Sequence, residues 1–140
     1  MKKILLLVPI TLLFACGGEK EEGWATDDLL VQPSEFPAGE KVYMTSCVSC
    51  HQKNGEGLEG VFPPLANSDY LLADKKRAID IAANGLNGEI VVNGVTYDAL
   101  MAPQGLSNEE VKDVVNYVLN SWGNDGGEVT MKEVEEVLGK

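Results

Sequence analysis

His51 is the only histidine in the chain, and it directly follows two cysteines separated by two residues, in S-C-V-S-C-H-Q-K over residues 46–53. Cysteines at this spacing serve zinc binding, dithiol redox chemistry or haem attachment, and the neighbours decide among them. A structural zinc site needs about four thiolate or imidazole ligands. Cys47, Cys50 and His51 supply three, and no second cluster exists to complete the set. A thioredoxin-like dithiol follows a strand in a βαβ unit, whereas the preceding A-G-E-K-V-Y-M-T-S reads as a turn or two of helix. C-x-x-C followed at once by His is the attachment sequence of a c-type haem: the thiols become thioethers and the imidazole takes one axial position on the iron. The expectation is one covalent haem c, with its iron, on Cys47, Cys50 and His51.

With a single histidine, the sixth position on the iron falls to Met, Lys, Asn, Tyr, an external molecule or nothing. Met is the usual ligand in electron carriers. Of the four methionines, Met1 belongs to a targeting segment, Met44 lies three residues before Cys47, too close to reach the opposite face, and Met131 sits in a polar tail. Met101 stands in T-Y-D-A-L-M-A-P-Q-G, fifty residues beyond His51, in an apolar loop bounded by Pro and Gly. A methionine in such a loop often only fills core space; beside a haem it is the expected second metal ligand.

The chain opens on Met1, Lys2 and Lys3, followed by an apolar run over residues 4–15. That run is too short to span a bilayer and has the length of a signal-peptide core. It ends in L-F-A-C, which resembles the bacterial lipobox, so Cys16 is the expected lipid attachment site; the alternative is an ordinary secretion signal with an incidental cysteine. The count supports the lipid: Cys47 and Cys50 go to haem and Cys16 to an acyl group, leaving no odd thiol in an oxidising compartment. The location expected is the periplasmic side of a bacterial envelope. Gly17, rather than Asp, after Cys16 leans towards the outer membrane.

The formal charge is −11, and without Lys2 and Lys3 nine basic residues face twenty-two acidic ones, a formal −13. Such a surface repels nucleic acid and anionic headgroups. It suits a redox partner with a basic docking patch, although acidity also serves solubility alone.

Along the chain, residues 16–37 read as a flexible acidic linker, 38–123 as the haem domain, and 124–140 as a tail with a short amphipathic helix. Ser68 and Asp74 precede short helical patterns, the second ending at Asn84 and Gly85. E-I-V-V-N-G-V-T-Y, residues 89–97, is a β-hairpin sequence around Asn93-Gly94. Ser107 and Glu110 form a capping box ahead of Val111, Val114, Val115, Val118, Leu119 and Trp122 at helical spacing. N-D-G-G reads as a flexible joint, and Thr130 with Glu133 opens the last helix, ending at Leu138. The fold class expected is all-α with that one hairpin. Gly55, Gly57 and Gly60 satisfy G-x-G-x-x-G, but no strand precedes them and Pro63-Pro64 follows, so a dinucleotide site is discounted. Tight backbone turns past the haem edge are expected of them instead.

The region from about Ala38 to Gly123 resembles class I cytochromes c. Beyond the haem motif, Gly39 and Tyr43 precede Cys47 by eight and four residues, with Tyr117 as the matching aromatic, as at that family's crossing of first and last helices. Pro63 and Leu65 resemble its P-x-L, which implies that the Pro63 carbonyl accepts a hydrogen bond from His51 and that Leu65 packs on the haem. The sequence departs from the family where Ala102 separates Met101 from Pro103. V-F-P-P-L-A-N-S-D-Y-L and N-Y-V-L-N-S-W-G-N look closest to cytochrome domains associated with copper nitrite reductases. The resemblance implies a single-electron carrier between respiratory components, with a nitrogen-oxide reductase or terminal oxidase as acceptor, working as a monomer or as a subunit of a respiratory complex. The alternative is a haem peroxidase or gas-binding protein with an open sixth position, which calls for distal hydrogen-bond donors or an acid-base group.

Overall fold

The computed structural model describes residues 34–139. The expected signal segment, Cys16 and nearly all of the linker lie outside the described residues. Pro37 opens α1 (Pro37–Ser46), where a missing N–H leaves no helical bond unmade. A single turn, α2 (Val48–His51), follows it directly. Then come α3 (Asp69–Ala73), α4 (Lys75–Asn84), the strands β1 (Ile90–Val92) and β2 (Val95–Tyr97), α5 (Asn108–Asn120) and α6 (Met131–Leu138). Among the described residues this is six helices and one two-stranded antiparallel sheet, the class expected.

The cap residues read from sequence perform as caps. Ser68 accepts from Leu71 N, and Asp74 accepts from Lys76 N and Arg77 N. Reciprocal boxes form at Ser107–Glu110 and Thr130–Glu133. In the hairpin Val92 pairs with Val95, and Asn93 and Gly94 both take positive φ, 50° and 81°, as a type I′ turn requires. Asp69 and Asn93 then exchange side-chain to backbone bonds of 2.8 and 3.0 Å, fastening the hairpin to α3. Val92 and Tyr97 face inward.

The core forms where α1 crosses α5. Gly39 permits the approach: a Cβ there would run into Asp113 O and come within 2.7 Å of the Tyr117 Cβ. Tyr43, Tyr117 and Trp122 pack as three rings with centroids 5.0–5.4 Å apart, a spacing favourable for tilted aromatic pairs. Below them Val111, Val114, Val115, Val118 and Leu119 of α5 are buried, on the stripe their periodicity indicates.

The structure differs from expectation after Gly123. N-D-G-G is no flexible joint and α6 is no solvated appendage. Val129 and Val134 are buried in the main core, and Asn116 of α5 bonds both Val129 N (2.7 Å) and Val129 O (3.1 Å). Asn120 donates to Gly127 O, Lys75 to Glu128 O, and Gly126 N to Leu119 O. The polar side chains of α5 act here as backbone partners for a segment without regular structure, which satisfies its donors and acceptors inside the domain. Met131 accordingly packs against the core. The glycine loop also differs: none of Gly55, Gly57 and Gly60 lines the central cavity. Gly55 is needed because a Cβ there would stand 2.5 Å from the Trp122 ring.

Candidate haem site

Cys47 ends α1 and caps α2, so Cys50 and His51 follow it at i+3 and i+4, with Cys50 N and His51 N both bonded to Cys47 O (3.2 and 3.0 Å). That spacing puts the two thiols and the imidazole on one face of a single turn. Gln52 takes φ 63° and turns the chain away. The loop that follows is tied at His51 O by Gly57 N (3.0 Å), and at Gly55 O by Leu65 N and Ala66 N (2.7 and 2.9 Å). It returns Pro63 O to 2.9 Å from His51 Nδ1. A carbonyl only accepts, so Nδ1 carries the proton and the Nε2 lone pair is left for a metal.

Burial lowers the His51 pKa, with the Pro63 bond acting the other way; the ring is neutral at neutral pH, the form that ligates. Burial, and then the neighbouring Cys50, push the Cys47 thiol up to about 11. That disfavours the thiolate that would bind zinc or exchange disulfides. Both cysteines are free. Among the described residues no group of three or more His, Cys, Asp or Glu side chains is arranged to hold a metal ion.

Cys47, Cys50 and His51 open on a deep cavity whose walls include Leu65, Ile81, Leu86, Val114 and Val118. Met101 lines the same cavity, whereas neither Met44, exposed on α1, nor Met131 does. The position of Met101 is set by main chain. Leu86 and Met101 exchange two backbone hydrogen bonds of 2.8 and 2.9 Å, and a Cβ at Gly85 would collide with Met101 O. The same Cβ would lie 2.9 Å from Ala102 C and Pro103 N, so the Met101 loop passes close against Gly85.

Arg77 is a wall residue that motif reading missed. It lines the cavity with its guanidinium carbon 3.7 Å from the centroid of the Tyr70 ring and a bond from Nη2 to Tyr70 O. The available signal was its place four residues before Ile81, on the same stripe of α4 as an apolar wall residue. Among the lining residues it alone bears a fixed charge. An apolar cavity with two thiols and a neutral imidazole at one edge, a thioether on its wall and one cation fits an apolar macrocycle bearing carboxylates.

The sequence model of the cytochrome c family matches residues 36–122. This chain belongs to the cytochrome c family. Cytochrome c-552 of Thermus thermophilus is 37% identical over 91 residues, covering 61% of this chain and 69% of that protein. The cytochrome c subunit of a quinone-dependent alcohol dehydrogenase from Gluconobacter oxydans is 30% identical over 117 residues, 80% of this chain and 24% of the subunit. Cytochrome c-554(548) of Halomonas halodenitrificans is 36% identical over 76 residues, 51% of this chain and 80% of that protein. This cytochrome thus spans most of two small relatives but only about a quarter of the dehydrogenase subunit. Its cofactor is a covalently bound haem c, with Cys47 and Cys50 at the attachment positions, and it is a haem electron carrier. Bound there, haem supplies a one-electron iron couple whose potential follows axial ligation and burial.

Proposed function

We propose that His51 and Met101 would hold the haem iron, that Pro63 O would fix the imidazole and Leu65 pack on the haem, and that the protein passes single electrons between respiratory components while tethered through lipid on Cys16. The acceptor class proposed is a nitrogen-oxide reductase or terminal oxidase. The setting is the periplasmic side of the bacterial envelope, with the outer membrane favoured. The observation that carries this reading is the joint presence of His51 and Met101 on one cavity, each held by a backbone contact independent of the other. Ligands fixed by the chain keep their places when the charge at the site changes by one, which suits electron transfer. Gln104, a polar side chain of the Met101 loop that lines the cavity, donates one N–H to Ala102 O (2.8 Å).

Val48, Ser49 and Gln52 of the attachment motif and Ala102, Pro103 and Gln104 of the Met101 loop are the residues we infer to rim the haem edge; all but the half-buried Val48 are exposed, and none of the six is charged. An uncharged rim on an acidic protein lets a basic partner approach without stripping water from a carboxylate, while the surrounding acids steer it from a distance. Stopped-flow reduction of a basic partner is therefore expected to slow as salt rises. Ala102→Glu should impair it more than Lys132→Gln, which makes the same one-unit change in charge on α6, a helix absent from the cavity wall. Equal effects of the two variants, or faster association in added salt, would rule out this docking face.

A further inference from the structure

Asn124 lies just past α5, where Trp122 and Gly123 both take positive φ (55° and 87°) and turn the chain back. Its side chain is buried, and three of its hydrogen-bonding positions are used. Nδ2 donates to Val118 O (2.7 Å), one of the last-turn carbonyls of α5, and to Leu65 O (2.9 Å); Oδ1 accepts from Asn67 N (2.7 Å). Two of these three bonds go to the loop that presents Pro63 O to His51. Pro63 and Pro64 have fixed φ and no N–H, so the stretch from Pro63 to Leu65 is stiff, and its far end is gripped on both sides. Gly55 O takes Leu65 N and Ala66 N, and Asn124 takes Leu65 O and Asn67 N.

We propose that Asn124 is a positioning residue for the His51 imidazole: through Leu65 O and Asn67 N it holds the segment whose Pro63 carbonyl receives the His51 ring proton, coupling the end of α5 to the orientation of the iron ligand. This rests on the reading of His51 as a ligand. Asn116 provides the contrast. It is similarly buried and its side chain makes two hydrogen bonds, both to Val129, so it anchors the C-terminal segment without bonding to the histidine loop.

The test uses the haem-loaded protein, reduced so that the iron is diamagnetic, and reads solvent exchange of the His51 Nδ1 proton by NMR, with the reduction potential measured alongside. Asn124→Ala is expected to speed exchange about tenfold, the population change that the net worth of one hydrogen bond corresponds to, and to move the potential. Asn116→Ala should lower resistance to denaturant without either effect. Asn124→Asp keeps an oxygen for Asn67 N but offers no N–H to Leu65 O or Val118 O, so it should behave as the alanine variant does and serves if that variant does not fold. Wild-type exchange rates in both Asn124 variants, or equal acceleration in Asn116→Ala, would overturn the proposal. A wild-type reduced spectrum with the His51 ring at unligated positions would instead overturn the ligation reading, and the proposal with it.

Discussion

Met101→Ala is expected to abolish the sulfur-to-iron charge-transfer band of the oxidised protein, to lower the reduction potential by on the order of 100 mV, and to admit carbon monoxide to the reduced iron. The size follows from losing a thioether, which favours the reduced state; each ~59 mV is a factor of ten in a one-electron equilibrium. The change should act on ligation and leave the fold in place, because the Leu86–Met101 contact is made by main chain and survives truncation of the side chain. Two controls sharpen the result. Met44 is exposed on α1, so its alanine variant should match wild type throughout. Met131 packs against the core, and removing it should cost about 2 kcal/mol of stability with an unaltered spectrum. An intact charge-transfer band in the Met101 variant would contradict the assignment of the second ligand.

An equally large effect, on location instead of chemistry, is expected from Cys16→Ala. The apolar run over residues 4–15 ends in L-F-A-C, and Cys16 is the cysteine left over once haem has taken Cys47 and Cys50. Acyl groups contribute about 0.8 kcal/mol per buried methylene, and stable anchoring takes more than one chain. On the proposed reading, several acyl chains on Cys16 would anchor the protein. The variant should be processed, loaded with haem and spectrally identical to wild type, yet recovered in the soluble fraction of broken cells. Retention of the variant in washed membranes would contradict the lipobox reading.

Much of the helical frame is legible because its signals are local. Ser107 and Glu110 lie within one turn of each other, and the valines of α5 repeat at the period of the element they build. The hairpin announces itself through Asn93-Gly94, whose positive φ values few other pairs tolerate. The haem motif is equally local, since Cys47, Cys50 and His51 occupy one helical turn. What the sequence hides depends on partners remote along the chain. Asn116 and Asn120 look like solvent-facing polar residues until the backbone of Gly127 and Val129 is laid against them, and Asn124 until Leu65, Asn67 and Val118 are, and so the segment after Gly123 reads as a joint. Gly55 looks like a haem-edge glycine until Trp122 is found over it. Arg77 reads as a solvated helix charge, and only the fold reveals that its helix forms the cavity wall. Hydrophobic periodicity finds faces that exclude water, but it is blind to polar side chains whose partners are main-chain atoms elsewhere.

Electron transfer by this protein is proposed to use an iron whose coordination is filled by the chain in both oxidation states. A potentiometric titration of the wild-type protein, followed optically and repeated under carbon monoxide, tests this most directly. The predicted result is a single one-electron transition with the same midpoint under both gases, because His51 and Met101 leave no position for the added ligand. A midpoint that climbs under carbon monoxide, which binds only reduced iron, would reveal an open or labile sixth position and contradict the electron-carrier site described here.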